Sequence, residues 1–168
     1  YFGNGEKWNV SIQYLIESQP LGTAGSLQLL PKNLNDPIVV LNGDVLTRFN
    51  PGQLVRFHIE NKSDATICVR DYEVSIPFGV ITADDIELKS FNEKPVYKCK
   101  INAGVYVIDP HLISFLNPDQ NIDMPSMIKE AQQQGSLVNI YPIHEYWLDI
   151  GMPETLDKAH LEWPAQAY

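Results

Sequence analysis

Cysteine is scarce in this chain of 168 residues. There are two, Cys68 and Cys99, with no metal-ligand spacing and no evident pairing. A disulfide framework and a thiolate metal centre are therefore not expected. Cys68 lies in an apolar stretch and reads as a small buried residue rather than a nucleophile. This usage suits a reducing, cytoplasmic setting. Basic residues are also few: 12 Lys and Arg stand against 21 Asp and Glu, a net charge of −9. That balance argues against a nucleic-acid surface or an anionic-membrane surface. The aromatics lack interleaved basic residues and offer no platform for stacked bases. No stretch approaches the ~18 apolar residues of a membrane helix, and no secretory leader pattern is visible. Repeats and low-complexity tracts are missing too. The four histidines, His58, His111, His144 and His160, are scattered without metal spacing and read as structural or solvated.

What is present is an ordinary globular composition, 44% hydrophobic, of a length that fits one domain. Val10 to Leu15 alternates and reads as a strand. Thr23 to Leu30 reads as a short helix closed by Pro31. Ile38 to Leu41 is a run of four apolar residues, a strand buried on both faces. Asn50 as cap and Pro51 at the first turn start a helix through Glu60. Strands follow at Ala65–Val69, Gly79–Thr82, Ile86–Asn92 and Ile101–Ile108. Asp109-Pro110 opens a helix to Leu116. Asp123 opens another, with Met124, Met127, Ile128 and Ala131 on one face, ending before Gly135. Leu137–Ile143 is a strand, and Pro153 begins a last helix to about Glu162. Helices interleaved with buried strands indicate an α/β fold with a mixed, mostly parallel sheet.

The strand at Ile38–Leu41 runs into Asn42-Gly43-Asp44. In open parallel sheets ligands bind beyond the carboxyl ends of strands, where a carboxylate can handle a metal or phosphate. Asn-Gly-Asp is equally good turn chemistry, and this stretch alone does not decide between the two. Upstream lies Pro20-Leu21-Gly22-Thr23-Ala24-Gly25, a Gly-bearing loop whose amides could meet a phosphate or a base. Downstream lies Tyr146-Trp147-Leu148-Asp149-Ile150-Gly151, a second lone Asp beside Gly.

L-G-T-A-G, G-D, F-G (Phe78-Gly79), E-K-P (Glu93-Lys94-Pro95), N-A-G-x-Y (Asn102 to Tyr106) and W-x-D-x-G follow one another in that order. No single piece is specific. Together, over most of residues 10–160, they resemble the sugar-1-phosphate nucleotidylyltransferases, nearest the mannose-1-phosphate guanylyltransferase-like branch. The resemblance implies a Rossmann-like nucleotide-diphospho-sugar transferase fold. It also implies transfer of a nucleotidyl group from a nucleoside triphosphate to a sugar 1-phosphate, with pyrophosphate leaving. Both reactants are polyanions, so Mg²⁺ is the implied cofactor, held by Asp44 and Asp149.

Residue by residue, the resemblance makes Lys94 a phosphate contact and Glu93 an acceptor for sugar hydroxyls. It puts Gly79, Asn102 and Gly104 beside the sugar and Gly22 and Thr23 beside the base. Gly43, just before Asp44, is a further substrate-binding candidate because a glycine lets the backbone approach a ligand. The family's opening signature, G-x-G-T-R-L-x-P-L-T followed by a Lys-Pro pair, is not in this sequence. Residues 1–168 are therefore expected to be the C-terminal part of one nucleotidyltransferase domain, without its first strands. Such a chain should be inactive alone. Its Ile38–Leu41 edge should be closed by Val10–Leu15, by a second copy in a homo-oligomer, or by a separate N-terminal piece. The alternative is a catalytically inactive nucleotidyltransferase-like domain that binds or regulates.

Overall fold

In the computed structural model, residues 1–163 are described. Four strands form the main sheet: β1 (Ile38–Leu41), β3 (Ala65–Ser75), β6 (Val96–Ile108) and β7 (Val138–Pro142), in the order β1-β6-β3-β7. Two ribbons stand beside it. β2 (Val45–Thr47) pairs antiparallel with β8 (Trp147–Asp149), and β4 (Val80–Asp84) pairs antiparallel with β5 (Glu87–Asn92). β6 runs antiparallel to both β1 and β3, while β3 and β7 are parallel. Thus β1, β3 and β7 share one direction and β6 is reversed between them. The sheet is mixed, as expected, but not mostly parallel in its pairings: β6 is antiparallel to both its neighbours and only β3–β7 is parallel.

Alternation along β6 builds the core on both faces of the sheet. Tyr106 and Ile108 face a cluster with Ala24, Leu27, Leu112, Met124, Met127, Ile128 and Ala131. Val105 and Val107 face the other way, onto Leu54, Cys68 and Ile143. The first cluster is covered by α3 (Met124–Gln133), the second by α2 (Pro51–Glu60). Both helices open as the sequence suggests. The Asn50 carboxamide oxygen accepts from Gln53 N at 3.2 Å, and the Asp123 carboxylate from Ser126 N at 2.7 Å. The last helix, α4 (Pro153–Glu162), also stands where it is expected.

Several expectations need correction. Val10–Leu15 forms no strand. Its hydrogen bonds go to its own N-terminal loop rather than to a strand, through Ile12 N to Asn4 O and Tyr14 OH to Gly3 O. Thr23–Leu30 is not one helix but a single α-turn, α1 (Gly22–Gly25), followed by a 3-10 turn at Ser26–Leu29. Pro110–Phe115 is 3-10 rather than α. The Ile38–Leu41 strand is only half-buried, with Leu41 exposed. Core lies on both its faces, but among the described residues it has a neighbour on one edge alone. So Val10–Leu15 does not close the other edge.

Candidate active site

β1 ends in a turn in which Val45 N bonds back to Asn42 O. The turn delivers Asp44 directly to β2. Pairing of β2 with β8 sets Val45 opposite Asp149, and Ile150 N donates to Asp44 O at 2.8 Å. Two carboxylates far apart in sequence are thereby brought to one spot. Gly151 measures their convergence. A Cβ at that glycine would lie 3.1 Å from Asp149 Oδ1 and 3.2 Å from Asp44 Oδ2. Gly151 N also donates to Asp149 Oδ1 at 2.8 Å, which fixes that carboxylate's orientation. Both aspartates and Gly43 are exposed at this rim.

The rim is the end of the sheet at which β1 terminates. β3 runs in the same direction as β1 and continues past the rim, pairing with the first half of β6 as a two-stranded arm. Cross-strand ion pairs brace the arm: Lys100 to Asp71 at 2.6 Å and Lys98 to Glu73 at 2.8 Å. The partnered Asp71 carboxyl is held below the usual range by its hydrogen bond to Lys100. The arm carries the β4–β5 hairpin and closes through Ile76 N to Pro95 O. On it, Gly79 and Glu93 meet. A Cβ at Gly79 would sit 2.9 Å from Glu93 Oε2 and 2.6 Å from the Phe91 ring. Lys94 follows at a left-handed φ of 47°, exposed and without an ion pair among the described residues.

Other expected site residues have protein partners. The Asn102 carboxamide turns along its own strand. It donates to Tyr106 OH at 2.6 Å and accepts from Gly104 N at 3.0 Å. Gly104, at φ +68°, is buried, and a Cβ there would lie 2.9 Å from Asn42 Nδ2. The close approach that glycine permits here is made by the side chains of Asn42 and Val45. The amides of Ala24 and Gly25 are likewise occupied, both donating to Ile122 O. Gly25 is required because a Cβ would lie 2.5 Å from Gln120 O, and Gly22 for the same reason against Ile122 O. Thr23 Oγ1 accepts from Met124 N at 2.9 Å, at the start of α3. The loop is thus clamped to residues 120–124. Pro20, Gly22 and Thr23 keep an exposed side.

Sequence reasoning missed three contributors. Trp147 Nε1 donates to Ala103 O at 2.7 Å and ties β8 to β6. Arg70 donates to Glu145 O, and its guanidinium lies 5.8 Å from the Trp147 ring centre. Asn42 fills the space over Gly104. The signal for Asn42 and Trp147 was adjacency to the two Gly-Asp motifs. For Arg70, within a strand, there was none.

The folded chain offers an open α/β rim that bears an exposed carboxylate pair, and a glycine–glutamate–lysine group on the arm that continues past it. The chain belongs to the nucleotidyl transferase family, whose model matches residues 1–166. It is 31% identical over 156 residues to mannose-1-phosphate guanyltransferase of Yarrowia lipolytica. It is 34% identical over 155 residues to mannose-1-phosphate guanylyltransferase catalytic subunit beta of Drosophila melanogaster. The matches take in 89% of this chain but 43% and 42% of those relatives, so the chain spans less than half their length. The fold is that of solved nucleotidyltransferases. A Bacillus anthracis protein assigned as a glucose-1-phosphate thymidylyltransferase, solved with sucrose, superposes with a TM-score of 0.71 at 22% identity, covering 95% of this chain and 68% of its own. HddC of Yersinia pseudotuberculosis complexed with GMP-PN gives 0.67 at 22% identity, covering 96% and 71%. The nucleotide-diphospho-sugar transferase fold expected from the motifs is therefore the observed one.

Proposed function

We propose that this chain forms the metal-binding and sugar-binding part of an enzyme that transfers a nucleotidyl group from a nucleoside triphosphate to a sugar 1-phosphate. GTP and mannose 1-phosphate are the substrates favoured by its relatives' names. Nucleotide-sugar supply to polysaccharide biosynthesis in the cytoplasm is the matching role. The convergence of Asp44 and Asp149 on Gly151 carries the reading. Among the described residues no third His, Cys, Asp or Glu joins the two carboxylates. A pair of hard oxygen donors with space beside them suits Mg²⁺, which takes one or two carboxylates and fills its shell from water and phosphates. When bound, Mg²⁺ supplies neutralisation of phosphate charge.

The chain's own residues divide the remaining tasks. Asp44 and Asp149 hold the ion, with Gly43 leaving the approach to Asp44 open. Lys94 places a mobile positive charge for the sugar phosphate. Glu93, beside Gly79, accepts from sugar hydroxyls, as an ionised carboxylate does well. The exposed side of Gly22 and Thr23 faces the base. Asn102, exposed and held by its bonds to Tyr106 and Gly104, stands on the sugar side. The triphosphate itself calls for the G-x-G-T-R signature, which this sequence does not contain, so the 168-residue chain alone should show no turnover.

Pyrophosphate release measured across GTP, ATP, UTP and dTTP with mannose and glucose 1-phosphates tests the reading. The assay uses a protein in which this chain is joined to the signature segment. GTP with mannose 1-phosphate should be the fastest pair. Turnover by the chain alone, or no turnover with any pair in the joined protein, contradicts it.

A further inference from the structure

Glycines are usually explained by backbone conformation or by crowding against main chain, as at Gly22, Gly25 and Gly104. Gly151 fits neither explanation. Its φ lies outside the left-handed region, so its backbone does not ask for glycine. It is exposed, so no core atom crowds it. The atoms nearest to the position of an added Cβ are Asp149 Oδ1, Asp44 Oδ2 and Asp44 Cγ. A side chain at 151 would enter the space between the two carboxylates and nothing else.

We propose that Gly151 is a positioning residue for the cation: the missing Cβ keeps open the volume in which a divalent ion meets Asp44 and Asp149. The proposal rests on the reading that these carboxylates hold such an ion. A methyl group there would stand 3.1 and 3.2 Å from the two oxygens. An ion and its waters need that space, and a methyl offers them no lone pair. The amide of Gly151 supports the same carboxylate, donating to Asp149 Oδ1. Alanine keeps that N–H, so a loss on Gly151→Ala reports the filled space and not a lost hydrogen bond.

The test is Mn²⁺ binding to the purified 168-residue chain, read from the electron paramagnetic resonance signal of free Mn²⁺, with thermal unfolding recorded beside it. Gly151→Ala should bind Mn²⁺ about ten-fold or more weakly, the range by which support around a metal site alters affinity, with an unchanged melting temperature. Gly151→Val should weaken it further, and Asp44→Asn should abolish specific binding. If Asp44→Asn abolishes binding while Gly151→Ala binds like the wild type, the role of Gly151 is overturned and the cation reading stands. If Asp44→Asn binds as well as the wild type, or the wild type binds no Mn²⁺, the cation reading fails and the proposal with it. A lowered melting temperature in Gly151→Ala also overturns the proposal, since the glycine would then serve the fold.

Discussion

The indole N–H of Trp147 donates to the main-chain oxygen of Ala103 across 2.7 Å. Ala103 lies between Asn102 and Tyr106 of β6, where the register with β3 shifts, and Trp147 opens the three-residue strand that ends in Asp149. A ribbon as short as β2–β8 has little stability of its own. This bond, with Trp147 packed against the cluster of Val105 and Val107, fixes the ribbon to the main sheet and so fixes Asp149 relative to Asp44. Trp147→Phe keeps most of the apolar contact and removes the donor. The loss should be about 1 kcal/mol, the usual net worth of such a bond, plus the penalty for an unsatisfied carbonyl. Thermal unfolding should report it as a drop of roughly 2–4 °C per kcal/mol for a domain of this size. Mn²⁺ affinity should fall alongside. Full affinity in Trp147→Phe would show that the ribbon is positioned by other contacts.

Thr23 does for α3 what a cap residue usually does from within the same segment, accepting the N–H of Met124 from a distant loop. Thr23→Val keeps the shape and removes the acceptor, and should cost about 1 kcal/mol, as cap losses do. Thr23→Ser should restore most of it. Gly25→Ala should be worse than either, because its Cβ would collide with main chain at Gln120 O, 2.5 Å away. Urea unfolding of the three variants checks the ranking. If Gly25→Ala proves as stable as wild type, the loop is not clamped as described.

How much of this was readable beforehand depended on where the signal sat. β6 announces itself because alternating Tyr106–Ile108 and Val105–Val107 face two different cores. α2 and α3 announce themselves through Asn50-Pro51 and Asp123 with their caps. β2 and β8 are three residues each, shorter than any periodicity can register, and they are what brings Asp44 to Asp149. The aspartates could be named from their Gly neighbours and the family's motif order, but not the ribbon that joins them. Val10–Leu15 fails for the opposite reason: the pattern is present, but a strand is a property of a pair, and no partner lies beside it. The packing of Asn42 over Gly104 could not be foreseen, because a glycine that admits a ligand and one that admits a neighbouring Asn look the same in sequence.

Lys94 is exposed at a left-handed φ with no partner among the described residues. A charge kept free at such a position contributes little to folding, so its replacement separates function from stability. In the joined protein, Lys94→Met should lower kcat/KM by about 10²–10³, the scale for losing a charge-stabilising contact in a transition state, with an unchanged melting temperature. Lys94→Arg should recover part of it. Unaltered kcat/KM in Lys94→Met would remove the lysine from the sugar-phosphate site.

His58 makes stability depend on pH. It is buried on α2, with Nδ1 2.9 Å from Thr66 Oγ1. Burial pushes its pKa down from 6.5, and the nearby carboxylates of Asp109 and Asp64 pull it only partly back. In the unfolded chain the imidazole takes up its proton near 6.5, and in the folded chain only at lower pH. Between those two values the unfolded state binds more protons, so stability rises with pH. The contribution is complete above 6.5 and is lost as pH falls from 6.5 toward the folded value. The depressed carboxyl of Asp109 adds a loss that begins only nearer its unfolded value of 3.8, well below this window. The urea midpoint should therefore fall between pH 7.5 and 5.5. His58→Gln keeps a polar partner for Thr66 but cannot titrate, and should flatten that fall. Equal slopes in the two proteins would mean that the pH dependence arises elsewhere, and that the buried imidazole is not the group that takes up the proton on unfolding.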